Sequence, residues 1–189
     1  MPRLPLTTLL PLLLACAAPK AVERAPSGPD PAKLFPLAPG NRWTYQVSFL
    51  GAKQTLSVSI VSAQNGLYVD SRGQRYRVDA RGVRDDQRYL LREPLEPGRS
   101  WQSVISLSST EHYRVVGVGE SADVPAGHFD GCVRIEGRVP GGRDKIQLAE
   151  QTYCQGVGLV RVTTYEEMGG QRGAPQWEED LAAYRLAGG

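Results

Sequence analysis

This sequence predicts an all-β protein, an antiparallel meander of about ten strands forming a strongly curved sheet, barrel or sandwich. Three observations point there. Trp43, Tyr45, Val47 and Phe49 alternate with Thr44, Gln46 and Ser48, the period of two expected of a strand with one buried face. The 21 Gly and 14 Pro residues punctuate the chain at intervals that suit short strands and tight turns. No long segment carries a convincing helical stripe.

The chain begins with Arg3 and an apolar run, Leu4, Leu6, Leu9, Leu10, Leu12, Leu13 and Leu14, ending at Leu13-Leu14-Ala15-Cys16. The run is shorter than the roughly 20 residues a membrane-crossing helix needs, and its charge and small-residue end are those of a signal peptide over residues 1–15. Leu-Leu-Ala-Cys resembles the lipobox of bacterial lipoproteins, which implies that Cys16 becomes the lipidated mature N-terminus. Ala17 beside it resembles outer-membrane lipoproteins more than inner-membrane ones. The same residues admit a rival: Ala15-Cys16-Ala17 is also an A-x-A cleavage site, and cutting there would release a soluble secreted protein. Residues 16–34 then read as the lipidated cysteine and a disordered tether. Pro19, Pro26, Pro29 and Pro31 oppose regular structure, and little is present to bury.

The single domain expected over residues 35–187 starts at the turn Pro39-Gly40, which aims Trp43 into the core. Gly51-Ala52 reverses the first strand, and Leu56, Val58 and Ile60 return as the second. Asn65-Gly66 is a type I′ hairpin signal leading to Leu67-Tyr68-Val69. Turns at Ser71-Arg72-Gly73 and Arg81-Gly82 bound a strand over residues 74–79, and a further short strand covers residues 88–92. Residues 93–98, with two prolines and a glycine, make a corner. Trp101, Ser103, Ile105 and Leu107 resume alternation, and residues 112–118 pair back. Pro125-Ala126-Gly127 turns into a strand carrying Phe129, Val133 and Ile135. Gly141-Gly142 turns again, and residues 145–154 return. Gly156-Val157-Gly158 reads as a bulge or sharp bend before residues 159–165. Gly169-Gly170 and Gly173-Ala174-Pro175 read as a loop. Residues 177–186 fit strand or helix, and a strand would complete the meander. Trp43 and Trp101 are the expected core aromatics.

Several of these fragments together resemble a group of uncharacterised bacterial lipoproteins and secreted proteins. Phe35-Pro36-Leu37 with Gly40, Trp43 and Tyr45 matches an opening FPLxxGxxWxY. Val124-Pro125-Ala126-Gly127-His128-Phe129 and Gly156-Val157-Gly158-Leu159-Val160 match VPAGxF and GxGLV. The resemblance spans residues 35–186. It implies an antiparallel β domain and no reaction, since the group offers no catalytic residues to carry over.

Charge excludes one class. There are 22 Lys and Arg against 20 Asp and Glu; without Arg3 of the leader the balance is 21 to 20, with no basic stripe of the kind that binds nucleic acid. The two histidines, His112 and His128, lack the spacing of a metal site, and no Gly-x-Ser-x-Gly elbow or phosphate-binding glycine loop occurs. Asp85-Asp86 and Glu178-Glu179-Asp180 read as solvated acidic faces. No catalytic residue, metal or cofactor is assigned. With Cys16 lipidated or removed, Cys132 and Cys154 are an even pair in an oxidising compartment. Residues 132 and 154 flank the Gly141-Gly142 turn almost symmetrically, so a hairpin folded there sets them opposite each other as a disulfide. Buried free thiols or a metal pair are the rivals.

The expected function is a non-catalytic binding or scaffolding β domain held to the outer membrane by lipid and facing the periplasm, with an envelope protein as partner. A carrier of a lipid or other apolar ligand in a barrel cavity is the first alternative, and a hydrolase with a dispersed site the second.

Overall fold

The structure is a computed structural model, and residues 28–188 of it are described. The expectations for the signal peptide, for Cys16 and for residues 17–27 lie outside the described residues. One helical turn, α1 (Pro31–Leu34), precedes twelve strands: β1 (Arg42–Phe49), β2 (Ala52–Gln64), β3 (Leu67–Asp70), β4 (Arg75–Asp79), β5 (Gly82–Arg84), β6 (Tyr89–Arg92), β7 (Ser100–Ser106), β8 (Ser109–Val124), β9 (Gly127–Gly142), β10 (Lys145–Cys154), β11 (Gly158–Met168) and β12 (Gln171–Arg185). All belong to one sheet of order β6-β5-β4-β3-β2-β1-β12-β11-β10-β9-β8-β7. Two meanders, β1–β6 and β7–β12, therefore run outward from a central β1–β12 pairing. The two edge strands, β6 and β7, are consecutive in the chain.

The sheet curls until those edges approach each other, giving a nearly closed barrel. Trp101 of β7 donates its indole N–H to the Tyr89 carbonyl of β6 at 3.0 Å. Arg88, just before β6, donates to both carboxylate oxygens of Glu111 on β8 at 2.7 Å, and the Tyr113 hydroxyl donates to the same carboxylate. Side chains thus bridge the gap that the backbone ladder leaves between the two edges. Inside, Val133, Ile135, Tyr153, Val115, Tyr113 and Trp101 pack with Val83, Leu91 and Leu95. The stacked rings of Trp101 and Tyr113, with centroids 5.3 Å apart, form one wall of this core.

The strand count is twelve rather than ten, and the differences have local causes. β5 lies between turns that read as a single break; it is three residues long with one apolar side chain, Val83, too short to show a period. A Cβ at Gly82 would meet the Leu91 carbonyl oxygen of β6, so only glycine lets the two strands pair there. Gly156-Val157-Gly158 is not a bulge within one strand. It is part of the reversal between β10 and β11, with Gly156 and Gly158 at φ of 74° and 110°. A side chain at Gly158 would crowd the Trp43 indole, which donates to the Val157 carbonyl at 2.6 Å. Gly173-Ala174-Pro175 is not a loop but the exposed start of β12, where β11 pairs through register shifts that tolerate proline. Residues 177–185 are strand.

The ordered domain also starts before residue 35. Asp30 caps α1, accepting from the Ala32 N–H at 2.9 Å, with Pro31 at the first helical position where its missing N–H costs nothing. Leu34 is fully buried beside Leu91 and Leu95. The prolines around it gave no period to read, yet Leu34 belongs to the barrel core, with Phe35 and Leu37 packed against it. Asn65 and Gly66 both have positive φ, 51° and 73°, as a type I′ turn requires.

Candidate functional site

Cys132 and Cys154 form a disulfide. They are direct partners in the β9–β10 register; the reversal falls at Arg143-Asp144, immediately after the glycine pair, which itself ends β9. Both are fully buried, packed with Val160, Ala122 and Leu181.

The disulfide sits at the base of a flap. Three register shifts between β8 and β9, at Val115/Gly117, Val118/Glu120 and Glu120/Ala122, bend the far half of this hairpin. It lies over β11 and β12: the Ala126 N–H donates to the Leu181 carbonyl at 2.9 Å and Arg161 donates to the Asp123 carbonyl at 2.8 Å. Phe129 sets its ring edge-on to Tyr184, with centroids 5.8 Å apart. Between flap and sheet runs a polar groove of about 540 Å³ on the barrel's outer face. Two ion pairs lie within it. Arg134 makes a bidentate pair with Glu120 at 3.0 and 3.1 Å, and Arg161 bonds Asp180 at 2.6 Å. These pairs lower the Glu120 carboxyl and raise the Arg134 guanidinium from their ordinary values, chiefly through the hydrogen bonds between them.

Both histidines are exposed. His128 lies in the flap, its Nδ1 2.8 Å from Asp123 and its Nε2 3.3 Å from Asp130. Its bond to Asp123 favours the charged imidazole and raises its pKa. Ser121 lies near by, but its hydroxyl donates to Asp130 at 2.6 Å. The imidazole is therefore not placed to take the serine proton, which a Ser-His-Asp relay needs. Among the described residues no group of three or more His, Cys, Asp or Glu is arranged to hold a metal ion.

The acidic runs are not uniformly solvated faces. Asp85 is buried: its carboxylate accepts from the N–H groups of Gln87 and Arg88 at 2.8 Å and from the Arg88 side chain at 3.3 Å. Glu178, Glu179 and Asp180 alternate across β12. Glu178 and Asp180 line the outer groove, whereas Glu179 turns to the barrel interior. There it borders a hollow of about 60 Å³ whose walls include Trp43, Tyr45, Tyr76, Phe35 and Arg72. Burial raises the Glu179 carboxyl above its ordinary value, with the Trp177 N–H bond and Arg72 acting the other way. Burial also pushes the Tyr45 and Tyr76 phenols well above their usual range, so both are neutral donors. Tyr45 donates to the Leu159 carbonyl at 3.1 Å and Tyr76 to Asp70 at 3.2 Å. Asp70, itself buried, also accepts from the N–H groups of Arg72 and Gln74, fixing the β3–β4 turn that carries Arg72 to this mouth. The period-two pattern of β12 would have placed Glu179 inside, had residues 177–186 been assigned as strand outright.

No family model matches the chain, and no curated protein does. Two solved structures resemble it in shape. One, from Bacteroides fragilis, is described as an exported protein with a YmcC-like fold; it is 13% identical, with a TM-score of 0.47 over 80% of this chain and 98% of its own. The other, from Parabacteroides distasonis and described as a lipoprotein, is 14% identical, with a TM-score of 0.45 over the same shares.

Proposed function

We propose that this chain is a lipoprotein of the cell envelope, held by lipid on Cys16 to the outer membrane and facing the periplasm, whose β domain binds or scaffolds an envelope partner without catalysis. The observation that carries the binding reading is the filled interior. Side chains pack the barrel and leave a hollow of about 60 Å³ beside Glu179, whereas sites that take drug-sized molecules span roughly 300–1,000 Å³. That supports a packed binding module over the alternative of a carrier swallowing a lipid. The exposed histidines, one of them paired with aspartates and no nucleophile, lend the hydrolase alternative no support.

The disulfide supports export, because such bonds persist in oxidising compartments. The lipobox supplies the anchor. The motifs FPLxxGxxWxY, VPAGxF and GxGLV support the same reading through the uncharacterised lipoproteins they resemble. A thioether-linked diacyl group with a further acyl chain would hold the membrane firmly, where one chain binds only marginally. Detergent phase partitioning tests this. The wild-type chain is expected in the detergent phase, and Cys16→Ser or globomycin treatment is expected to shift it to the aqueous phase. Unchanged partitioning of the serine variant would refute the anchor. Cross-linking in the native envelope then identifies the partner.

A further inference from the structure

We infer that the barrel mouth between Glu179 and Arg72 binds a small zwitterion, an ammonium group seated beside Glu179 and an anionic group at Arg72. Glu179 is the starting point. Its carboxyl faces the interior hollow, and the hydrogen bond it accepts from Trp177 is long, 3.3 Å. Among the described residues no Lys or Arg nitrogen forms an ion pair with it. Arg72 faces the carboxylate across the hollow without closing a direct ion pair, and a half-buried carboxylate left in that state is a place where a ligand can complete the pairing. Trp43, Tyr45, Tyr76 and Phe35 surround it. Aromatic faces attract cations, and aromatic walls with a carboxylate are how ammonium groups are recognised.

The second charge decides the class. Arg72 lines the same hollow, yet its side chain is half exposed, and its separation from Asp70 is 3.8 Å. Asp70 is already engaged by Tyr76 and two backbone N–H groups, so the guanidinium retains donors to offer. A bare cation would be repelled by Arg72 and a bare anion by Glu179. A molecule carrying both charges a few atoms apart satisfies both. The volume agrees, because about 60 Å³ holds an ammonium-bearing end while the anionic end stays outside at the exposed guanidinium. A free amino acid and a phosphoethanolamine headgroup share this chemistry.

This inference rests on reading the domain as a binder and is independent of the lipid anchor, so the partitioning assay and the following one fail separately. Full-length protein in detergent is titrated with β-alanine and with O-phosphoethanolamine. The readout is tryptophan fluorescence, since Trp43 lines the site and Trp177 bonds Glu179. Saturable change with either probe is expected, with n-butylammonium and butyrate binding at least about tenfold more weakly. Glu179→Gln and Arg72→Gln, each shown folded by its melting transition, are expected to weaken the zwitterion about tenfold or more. If solubilised phosphatidylethanolamine binds more tightly than O-phosphoethanolamine, the ligand is a lipid headgroup; if β-alanine binds more tightly, it is a free zwitterion. No saturation by either probe below about 10 mM, equal binding of the singly charged controls, or unchanged affinity in both folded variants would overturn the inference.

Discussion

Replacing Trp101 by alanine tests what closes the barrel. The indole is 5% exposed, stacks on Tyr113 and donates to the Tyr89 carbonyl across the gap between the two edge strands. Truncating a buried Trp costs roughly 3–5 kcal/mol in lost burial and cavity formation. The N–H bond to Tyr89 contributes about 1 kcal/mol of its own. In a domain of this size each kcal/mol moves the melting temperature by about 2–4 °C, so Trp101→Ala is expected to lower it by roughly 6–20 °C. Trp101→Phe keeps a ring against Tyr113 and drops the donor, so it should lose only about 1–2 kcal/mol. Thermal unfolding followed by circular dichroism gives both numbers. Amide exchange adds a second signature: protection should fall in β6 before it falls in β9 and β10, since β6 is a short edge strand that this indole pins. A shift below about 3 °C in the alanine variant, or equal losses in both variants, would refute the view that packing, with the hydrogen bond as a lesser part, holds the edges together.

Removing the disulfide with Cys132→Ala/Cys154→Ala frees a loop of 22 residues and should cost about 3 kcal/mol, a drop of roughly 6–12 °C in the melting temperature; peptide mapping without reductant should recover the two cysteines linked, and free alkylation of both in the native protein would contradict the structure. Glu179 has a raised carboxyl pKa, so its contribution is fully present below the ordinary glutamate range and is lost as pH rises through the raised value. The melting temperature of Glu179→Gln should therefore gain on the wild type as pH rises from about 4 to 7, and a difference independent of pH would show that the carboxyl is not held out of water.

Sequence pattern reached the parts of the fold whose periodicity is strict. The alternation from Trp43 to Phe49 is β1, Asn65-Gly66 turns with both φ values positive, and near-symmetry about Gly141-Gly142 paired Cys132 with Cys154, although the turn itself falls at the next two residues. It failed where a structural role rests on one residue. Leu34 and Val83 are fully buried, but Leu34 sits in a proline-broken stretch and Val83 between a glycine and an arginine, so neither belongs to a readable period. The flap was invisible because it depends on three register shifts around Gly117 and Glu120, which interrupt the very period being read. The site was hidden by composition: Glu178-Glu179-Asp180 looks like one hydrophilic run, and only the pleat of β12 turns the middle carboxylate to the interior and its neighbours outward. Arg72 carried no signal at all, since its position depends on how Asp70 folds the β3–β4 turn.

The order of strands has a consequence for connectivity. Arg42 of β1 pairs with Arg185 of β12, and the Ala187 N–H donates to the Asn41 side chain at 2.7 Å, so the start of β1 and the end of β12 lie side by side. The corner over residues 93–99 joins the sheet's opposite edges. A circular permutant that joins residue 188 to residue 28 through a flexible linker, so that α1 and the buried Leu34 are kept, and opens within that corner, would thread β7 through β12 and then β1 through β6 in the order in which they pair. Every strand would then pair with its neighbour in sequence. The loop between residues 42 and 185, the most distant strand pairing among the described residues, would shrink to the linker and the short α1 segment. Contact order would fall sharply, so the permutant should fold faster.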